Sequence, residues 1–182
     1  AMEDQATEVI ISKTDITTGK ELPGATLQIL KKVKAATDAG EEVEKEETVI
    51  TIYGEKLEWV SGETPKTIKG LPAGTYILRE TAAPDGYTVA TDAKFTVERN
   101  VENKVTMKDA PSKLTISKKD MADLTKNLPG ATFEVQDENG DVVTTIYKDR
   151  LEWTTSEKEP VKTITGLKDG SYKLVETVAP VG

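Results

Sequence analysis

Short runs in which apolar and polar residues alternate cover most of the chain, and they predict β-strands. Val, Ile, Thr and Tyr recur at every second position, and the runs stop at Gly, Pro, Asn or Asp. No segment keeps a helical period. The pair Asn139-Gly140 separates two such runs and is typical of a hairpin turn. Many short strands with frequent turns predict an all-β sandwich or barrel.

The strand pattern occurs twice, because the chain contains an internal repeat. The matching segments are VIISKTD (9–15) and LTISKKD (114–120), LPGATL (22–27) and LPGATF (128–133), IYGEKLEW (52–59) and IYKDRLEW (146–153), and KTIKGLPAGTYILRETAAPDG (66–86) and KTITGLKDGSYKLVETVAPVG (162–182). Two copies in the same order predict two tandem domains, residues 8–110 and 112–182.

The two copies differ in two places. The first copy carries an extra stretch, Val33–Glu47, whose Ala and Glu content predicts a solvated loop or a short helix at a hairpin tip. The first copy also continues for more than twenty residues after its Pro-Asp-Gly turn, over Tyr87–Asp109. Because the second copy stops at Gly182, we expect the second domain to be incomplete at its C-terminus and to lack its last strands in this sequence.

Three predicted strands carry an ionisable residue on their apolar side. Residues at i, i+2 and i+4 share one face of a strand. The three faces are Val9, Ile11 and Lys13, then Tyr76, Leu78 and Glu80, then Val105, Met107 and Asp109. An isolated buried charge is strongly unfavourable. Either each group therefore reaches water at a strand end, or the three act together. The second copy repeats two of them, Lys118 and Glu176.

Composition narrows the possible functions. The chain has 24 Lys and Arg against 32 Asp and Glu, a net charge of -8 and a pI near 4.8, which argues against nucleic acid and membrane surfaces as partners. The sequence contains no Cys and no His, which excludes thiol catalysis, disulfides, Ser–His–Asp triads and the usual zinc sites. No metal site and no cofactor is predicted.

One acidic motif resembles the start of a calcium-binding loop. Asp137, Asn139 and Asp141 have the spacing of the first ligands. However, Val142 stands where the loop needs glycine, and Lys148 stands where it needs a bidentate glutamate. This segment therefore predicts a hairpin turn.

Four segments resemble the Cna protein B-type (CnaB, SpaA-like) domains of Gram-positive surface adhesins and pilins. They are ISKTD, LPGAT, GTYILRETAAPDGY and VTMKDA, and the resemblance covers nearly the whole chain, twice. It implies two tandem immunoglobulin-like, prealbumin-like β-sandwiches. In that family a lysine on the first strand bonds covalently to an aspartate or asparagine on the last, and a glutamate on a middle strand catalyses the step.

The resemblance implies roles for five residues. Lys13 and Asp109 would form the covalent cross-link, with Glu80 as the catalytic residue. Burial would favour a neutral amine on Lys13 and a neutral acid on Asp109. In the second copy Glu176 matches the catalytic glutamate and Lys118 the cross-linking lysine. No acceptor follows them, so we expect Lys118 to be unlinked unless another chain supplies a strand.

The resemblance also implies a structural function. The chain would be a stalk or spacer module of an adhesin or ancillary pilin, extracellular and anchored to the cell wall, with signal peptide and anchor elsewhere in the precursor. Its partners would be adjacent domains of a longer surface protein. It would not be an enzyme, because the cross-linking reaction happens once. The alternative is a module that binds a host protein or glycan through residues 33–47 or a sheet edge. A hydrolase domain is a third possibility.

Overall fold

The computed structural model describes residues 6–37 and 41–180, which form thirteen strands and no helix. The predicted all-β class is confirmed. The chain divides into two compact units. The first holds the residues up to Pro84 together with Thr88–Ala110, and the second holds Asp85–Tyr87 together with the residues from Pro111 onward. None of the described residues belongs to a helix that could cross a membrane.

Eight strands build the first unit. They are β1 (Glu8–Asp15), β2 (Thr26–Ala36), β3 (Glu42–Thr48), β4 (Glu58–Val60), β5 (Lys66–Lys69), β6 (Gly74–Ala82), β7 (Ala93–Val97) and β8 (Asn103–Asp109). One sheet has the order β5-β1-β8, and the other has the order β3-β2-β6-β7 with β4 also paired to β2. The first and last strands, β1 and β8, are parallel neighbours.

Alternation along the strands builds the core of the first unit. Val9 and Ile11 of β1 pack in one buried cluster with Leu27 and Ile29 of β2 and Leu78 of β6. Because these residues come from both sheets, the cluster fills the space between the sheets as in a sandwich. The predicted inward faces of β1, β6 and β8 all point into this space.

The prediction of a loop or short helix for Val33–Glu47 was wrong for the described residues of this stretch, and residues 38–40 lie outside the described part of the chain. The described residues belong largely to β2 and β3, which form an antiparallel hairpin paired from Leu30 with Thr48 to Ala36 with Glu42. A row of cross-strand ion pairs lines one face, including Lys32 with Glu44 at 2.9 Å and Lys34 with Glu42 at 2.9 Å. Opposite charges at facing positions favour strand pairing over a loop or helix.

Five strands build the second unit. They are β9 (Lys113–Ser117), β10 (Thr132–Gln136), β11 (Glu152–Thr154), β12 (Val161–Thr165) and β13 (Lys173–Val178). They form the sheets β11-β10-β13 and β12-β9. The predicted hairpin turn is confirmed, with Gly140 at φ 88° and the Asp137 carboxylate accepting hydrogen bonds from the backbone of Asn139 and Asp141.

The second unit leaves apolar residues exposed at positions that the first unit buries. Leu174 is 49% exposed, whereas the equivalent Leu78 is fully buried. Leu114 is 44% exposed, whereas the equivalent Val9 is fully buried. In the described part of the second unit, β9 pairs with β12 alone and β13 with β10 alone. The first unit covers the same positions with β7 and β8.

This difference in exposure predicts that the same substitution lowers the free energy of unfolding by different amounts at equivalent positions of the two units. Leu78→Ala should destabilise the first unit by about 2–5 kcal/mol, because it opens a cavity in a closed core. Leu174→Ala should cost under about 1 kcal/mol, because that side chain is already half in water. Urea unfolding of the full chain measures both, with each transition assigned through Trp59 or Trp153. Equal costs would contradict the assigned exposure.

Candidate functional site

Three strands from two sheets converge on one buried site in the first unit. Lys13 comes from β1 and Asp109 from the end of β8, in the same sheet. Glu80 comes from β6 in the opposite sheet. The three predicted residues therefore meet between the sheets. Their side chains are at most 1% exposed, so none reaches water at a strand end.

The three side chains are in direct contact. The Lys13 Nζ atom lies 3.1 Å from Glu80 Oε1. The same nitrogen contacts Asp109 Oδ1. One amine thus touches two carboxyl groups in a space without water access, where electrostatic interactions are strong and desolvation is costly.

A backbone amide holds the second oxygen of Glu80. The Ala90 N–H donates a hydrogen bond of 2.6 Å to Glu80 Oε2. Since Oε2 is occupied, Oε1 is the oxygen that faces Lys13. The hydrogen bond fixes the orientation of the carboxyl group across the site. A backbone donor shows no signal in side-chain patterns, so sequence reasoning did not find Ala90.

Burial disfavours the charged form of Asp109. It raises the pKa of Asp109 from 3.8 to about 6, the nearby Lys13 opposes the rise, and the Glu80 charge adds to it. Among the described residues, Glu80 Oε1 and Asp109 Oδ2 are buried oxygens without a hydrogen-bond donor. A carboxylate only accepts hydrogen bonds, so a proton on Asp109 would supply the missing donor.

Backbone hydrogen bonds fix the strand ends that carry Lys13 and Asp109. Leu22 N–H donates to the Lys13 carbonyl at 2.7 Å, and Ile16 N–H donates to the Asp109 carbonyl at 2.9 Å. A cavity of about 260 Å³ adjoins Lys13, with Trp59 and Glu21 in its lining. Backbone hydrogen bonds therefore hold the strand ends that carry Lys13 and Asp109, beside a space that can hold water.

The second unit brings Lys118 and Glu176 together without burying them. Lys118 Nζ lies 2.9 Å from Glu176 Oε2, and the side chains are 30% and 29% exposed. No strand in the described part of the second unit lies along β9 as β8 lies along β1. This pair therefore reaches water, and no described residue stands in the place of Asp109.

No group of Asp or Glu residues in the described ranges could hold a metal ion. The acidic motif at Asp137 forms a turn through its own backbone hydrogen bonds. Trp59 and Trp153, which occupy equivalent repeat positions, pack against the cores of their units.

Several solved structures are similar to this chain. The Bacillus anthracis TIE protein matches 97% of the chain at 24% identity and a TM-score of 0.48, over 29% of its own length. A streptococcal ancillary pilin matches 98% at 22% identity and a TM-score of 0.45, over 55% of its own length. The shaft pilin spaA from Lactobacillus rhamnosus GG matches 96% at 16% identity and a TM-score of 0.41, over 88% of its own length.

The chain thus spans less than two thirds of the first two structures. A comparison with curated protein sequences gives no significant match. The family model of the SpaA prealbumin-like fold domain, in contrast, matches two segments, residues 7–111 and 112–182. These segments follow the internal repeat and together cover nearly the whole chain. The chain therefore belongs to the family of SpaA prealbumin-like fold domains.

Proposed function

We propose that the first domain is locked by a covalent amide between Lys13 and Asp109, and that the chain is a stalk module of a Gram-positive adhesin or ancillary pilin. The domains are residues 8–110 and 112–182. The observation that carries the proposal is the buried contact of one amine with two carboxyl groups. A buried ion pair seldom recovers its desolvation free energy, whereas an amide leaves no charge on either partner.

The reaction follows from the positions of the atoms. The neutral Lys13 amine attacks the Asp109 side-chain carbonyl carbon, and the nitrogen gives up a proton. Glu80 Oε1, 3.1 Å from that nitrogen, accepts the proton and passes it to the departing Asp109 hydroxyl, which leaves as water. Glu80 returns to its starting state. The cavity beside Lys13 has room for the released water.

Folding accelerates this step. It holds the nucleophile against the acid, which replaces a bimolecular encounter by an intramolecular one. Burial excludes water that would compete for the proton transfers. The domain is both catalyst and substrate, so the reaction occurs once per chain, with no turnover.

The bond joins strands at the two ends of the first domain. Lys13 and Asp109 are 96 residues apart in sequence, on parallel neighbouring strands. Tension applied to the ends of the domain would pull β1 and β8 along each other, and the amide would carry that tension past the residues between. Closing a loop of this size is worth about 4–5 kcal/mol in the chain-entropy account. Such a cross-link also slows unfolding and proteolysis.

A mechanical role fits an extracellular protein attached to the cell wall, with adjacent domains of a longer chain as partners. Disulfides often stabilise secreted domains. This sequence contains no cysteine, and the proposed amide would provide the covalent stabilisation instead. Recognition of a host protein or glycan stays a prediction. Four charged side chains of the β2–β3 hairpin pair with each other, and no contact of its described residues favours a ligand over the spacer role.

An intact-mass measurement tests the cross-link. The wild-type chain should weigh one water less than its sequence, and Lys13→Ala, Asp109→Ala and Glu80→Ala should keep the full mass. Lys118→Ala and Glu176→Ala, the equivalent changes in the second domain, serve as matched controls and should still lose one water. A full-mass wild-type chain would refute the proposal.

The raised pKa of Asp109 predicts a pH dependence in a chain that cannot cross-link. In Lys13→Met the opposing amine is gone, so the folded pKa should lie at or above about 6, against 3.8 unfolded. The stability that protonated Asp109 contributes is full below about pH 4 and lost as pH rises through the folded pKa. The loss should reach about 3 kcal/mol by pH 8.

Urea unfolding over that pH range measures this loss. The matched control is Lys13→Met with Asp109→Asn, which cannot ionise at residue 109. The stability difference between the two variants isolates Asp109. A difference that does not change with pH would show that the Asp109 carboxyl is solvated.

β9 pairs only with β12 in the described part of the second domain, so we expect this domain to accept an extended strand that lies along β9 and offers a carboxyl or amide to Lys118. A peptide with the sequence of Tyr87–Pro111, added to the full chain, should form an adduct with the mass of the peptide less one water. Lys118→Ala should abolish the adduct, as should Ala at the peptide position of Asp109. Failure of the wild-type chain to form it would remove the proposed partner.

A further inference from the structure

A short segment of the first unit crosses from the acceptor strand to the strand of Glu80. We call Thr88–Asp92 the strap. At its start, Thr88 donates hydrogen bonds from N–H and Oγ1 to the carbonyl of Ala110, next to Asp109, at 2.9 and 3.1 Å. In its middle, Ala90 N–H donates to Glu80 Oε2 at 2.6 Å. The strap therefore contacts both sides of the buried site.

An ionic clamp holds the far end of the strap. The Arg79 guanidinium binds Asp92 through two atoms, with Nε 3.0 Å from Oδ1 and Nη2 2.5 Å from Oδ2. Its third nitrogen, Nη1, lies 2.6 Å from Glu46 Oε2 on β3. The β6–β7 register pairs Leu78 with Ala93, so Arg79 and Asp92 occupy the next facing position. Two parallel hydrogen bonds fix direction as well as distance.

Arg79 and Glu80 are neighbours in β6 and point to opposite sides of the sheet. Arg79 is one third exposed on the outer face, whereas Glu80 is buried on the inner face. The clamp thus fixes the strap from outside, and the strap returns to place the Ala90 amide against Glu80 inside. An exposed ion pair adds little to stability, so the consequence to expect is geometric.

The second unit offers an internal contrast. Val175 stands in the position of Arg79, as the repeated sequences KLVET and ILRET show. In the described part of the second unit no segment crosses over Glu176, and that side chain is 29% exposed. Arginine thus stands in the copy whose described residues include a strap, and valine stands at the equivalent position of the other copy.

We propose that Arg79 and Asp92 are positioning residues for the cross-linking reaction. They fix the strap so that Ala90 N–H occupies Glu80 Oε2 and leaves Oε1 for Lys13 and Asp109. The inference rests on the proposed function of the buried site. Without the clamp the strap end is free, Glu80 loses its fixed orientation, and water gains access to the site. Losing one charge-assisted hydrogen bond from a reacting group corresponds to a rate lower by about 10- to 100-fold.

The rate of water loss tests the proposal. Full-length chains kept unfolded in denaturant are diluted into buffer, folding is followed by tryptophan fluorescence, and quenched samples are weighed. Arg79→Val, which copies the second unit, and Asp92→Ala should fold but react about 10- to 100-fold more slowly, to the same final mass. Glu46→Ala is the matched control, because it removes the other partner of Arg79 and leaves Asp92 bound. It should react within about twofold of wild type.

Two further readouts separate positioning from general stability. The double variant Arg79→Val/Asp92→Ala should be no slower than either single variant, since the two residues act as one pair. In an unreactive Asp109→Ala background, hydrogen exchange at the Ala90 amide should speed up on Arg79→Val while core amides of β1 and β6 stay protected. Uniform loss of protection would mean a structural role only and would overturn the proposal.

The outcomes distinguish this inference from the function on which it rests. If the wild-type chain never loses water, the cross-link itself fails. If the wild-type chain reacts and both clamp variants match its rate, the cross-link stands and the positioning role is refuted. Should Arg79→Val fail to fold, the nearly isosteric Asp92→Asn decides, and a rate within twofold of wild type refutes the role.

Discussion

One amine and two carboxyl groups share a space from which the fold excludes water, and this contact constrains the rest of the first domain. Lys13, Glu80 and Asp109 together leave two carboxyl oxygens without donors in the described structure. Such an arrangement is unfavourable as a set of fixed charges, and the proposed amide would remove the charges of Lys13 and Asp109. The contact forms because β1 lies parallel to β8 and because β6 faces them from the opposite sheet.

The two domains show what closes such a site. Lys118 and Glu176 occupy the repeat positions of Lys13 and Glu80, and the Nζ–Oε distances are similar, 2.9 Å and 3.1 Å. They are nevertheless exposed, because the described part of the second domain has no strand beside β9 and no strap over Glu176. Proximity of an amine and a carboxyl group is therefore not sufficient to bury them. Covering strands are what bury the pair in the first domain.

Local alternation of side chains predicted the fold class and placed Lys13, Glu80 and Asp109 on the apolar faces of their strands, and the repeat was visible as recurring segments. The period of two places Lys13 on the same side as Val9 and Ile11. Alternation left open whether the three groups reach water, and the structure shows that they are buried. The β2–β3 hairpin was missed because its Ala and Glu content is typical of a helix or loop. Its opposite charges face each other only once the register of the two strands is known. Ala90 was missed because a backbone amide leaves no mark in sequence, and Arg79 because outward arginines are common on strands.

Force applied to the two ends of the first domain tests the covalent lock and its mechanical role together. In single-molecule extension, the wild-type chain should show no unfolding step for the segment between Lys13 and Asp109, which are 96 positions apart in sequence. The Lys13→Ala chain should release them, with a gain of roughly 300 Å. A wild-type chain that lengthens by the same amount would show that no bond joins β1 to β8, and would contradict the account.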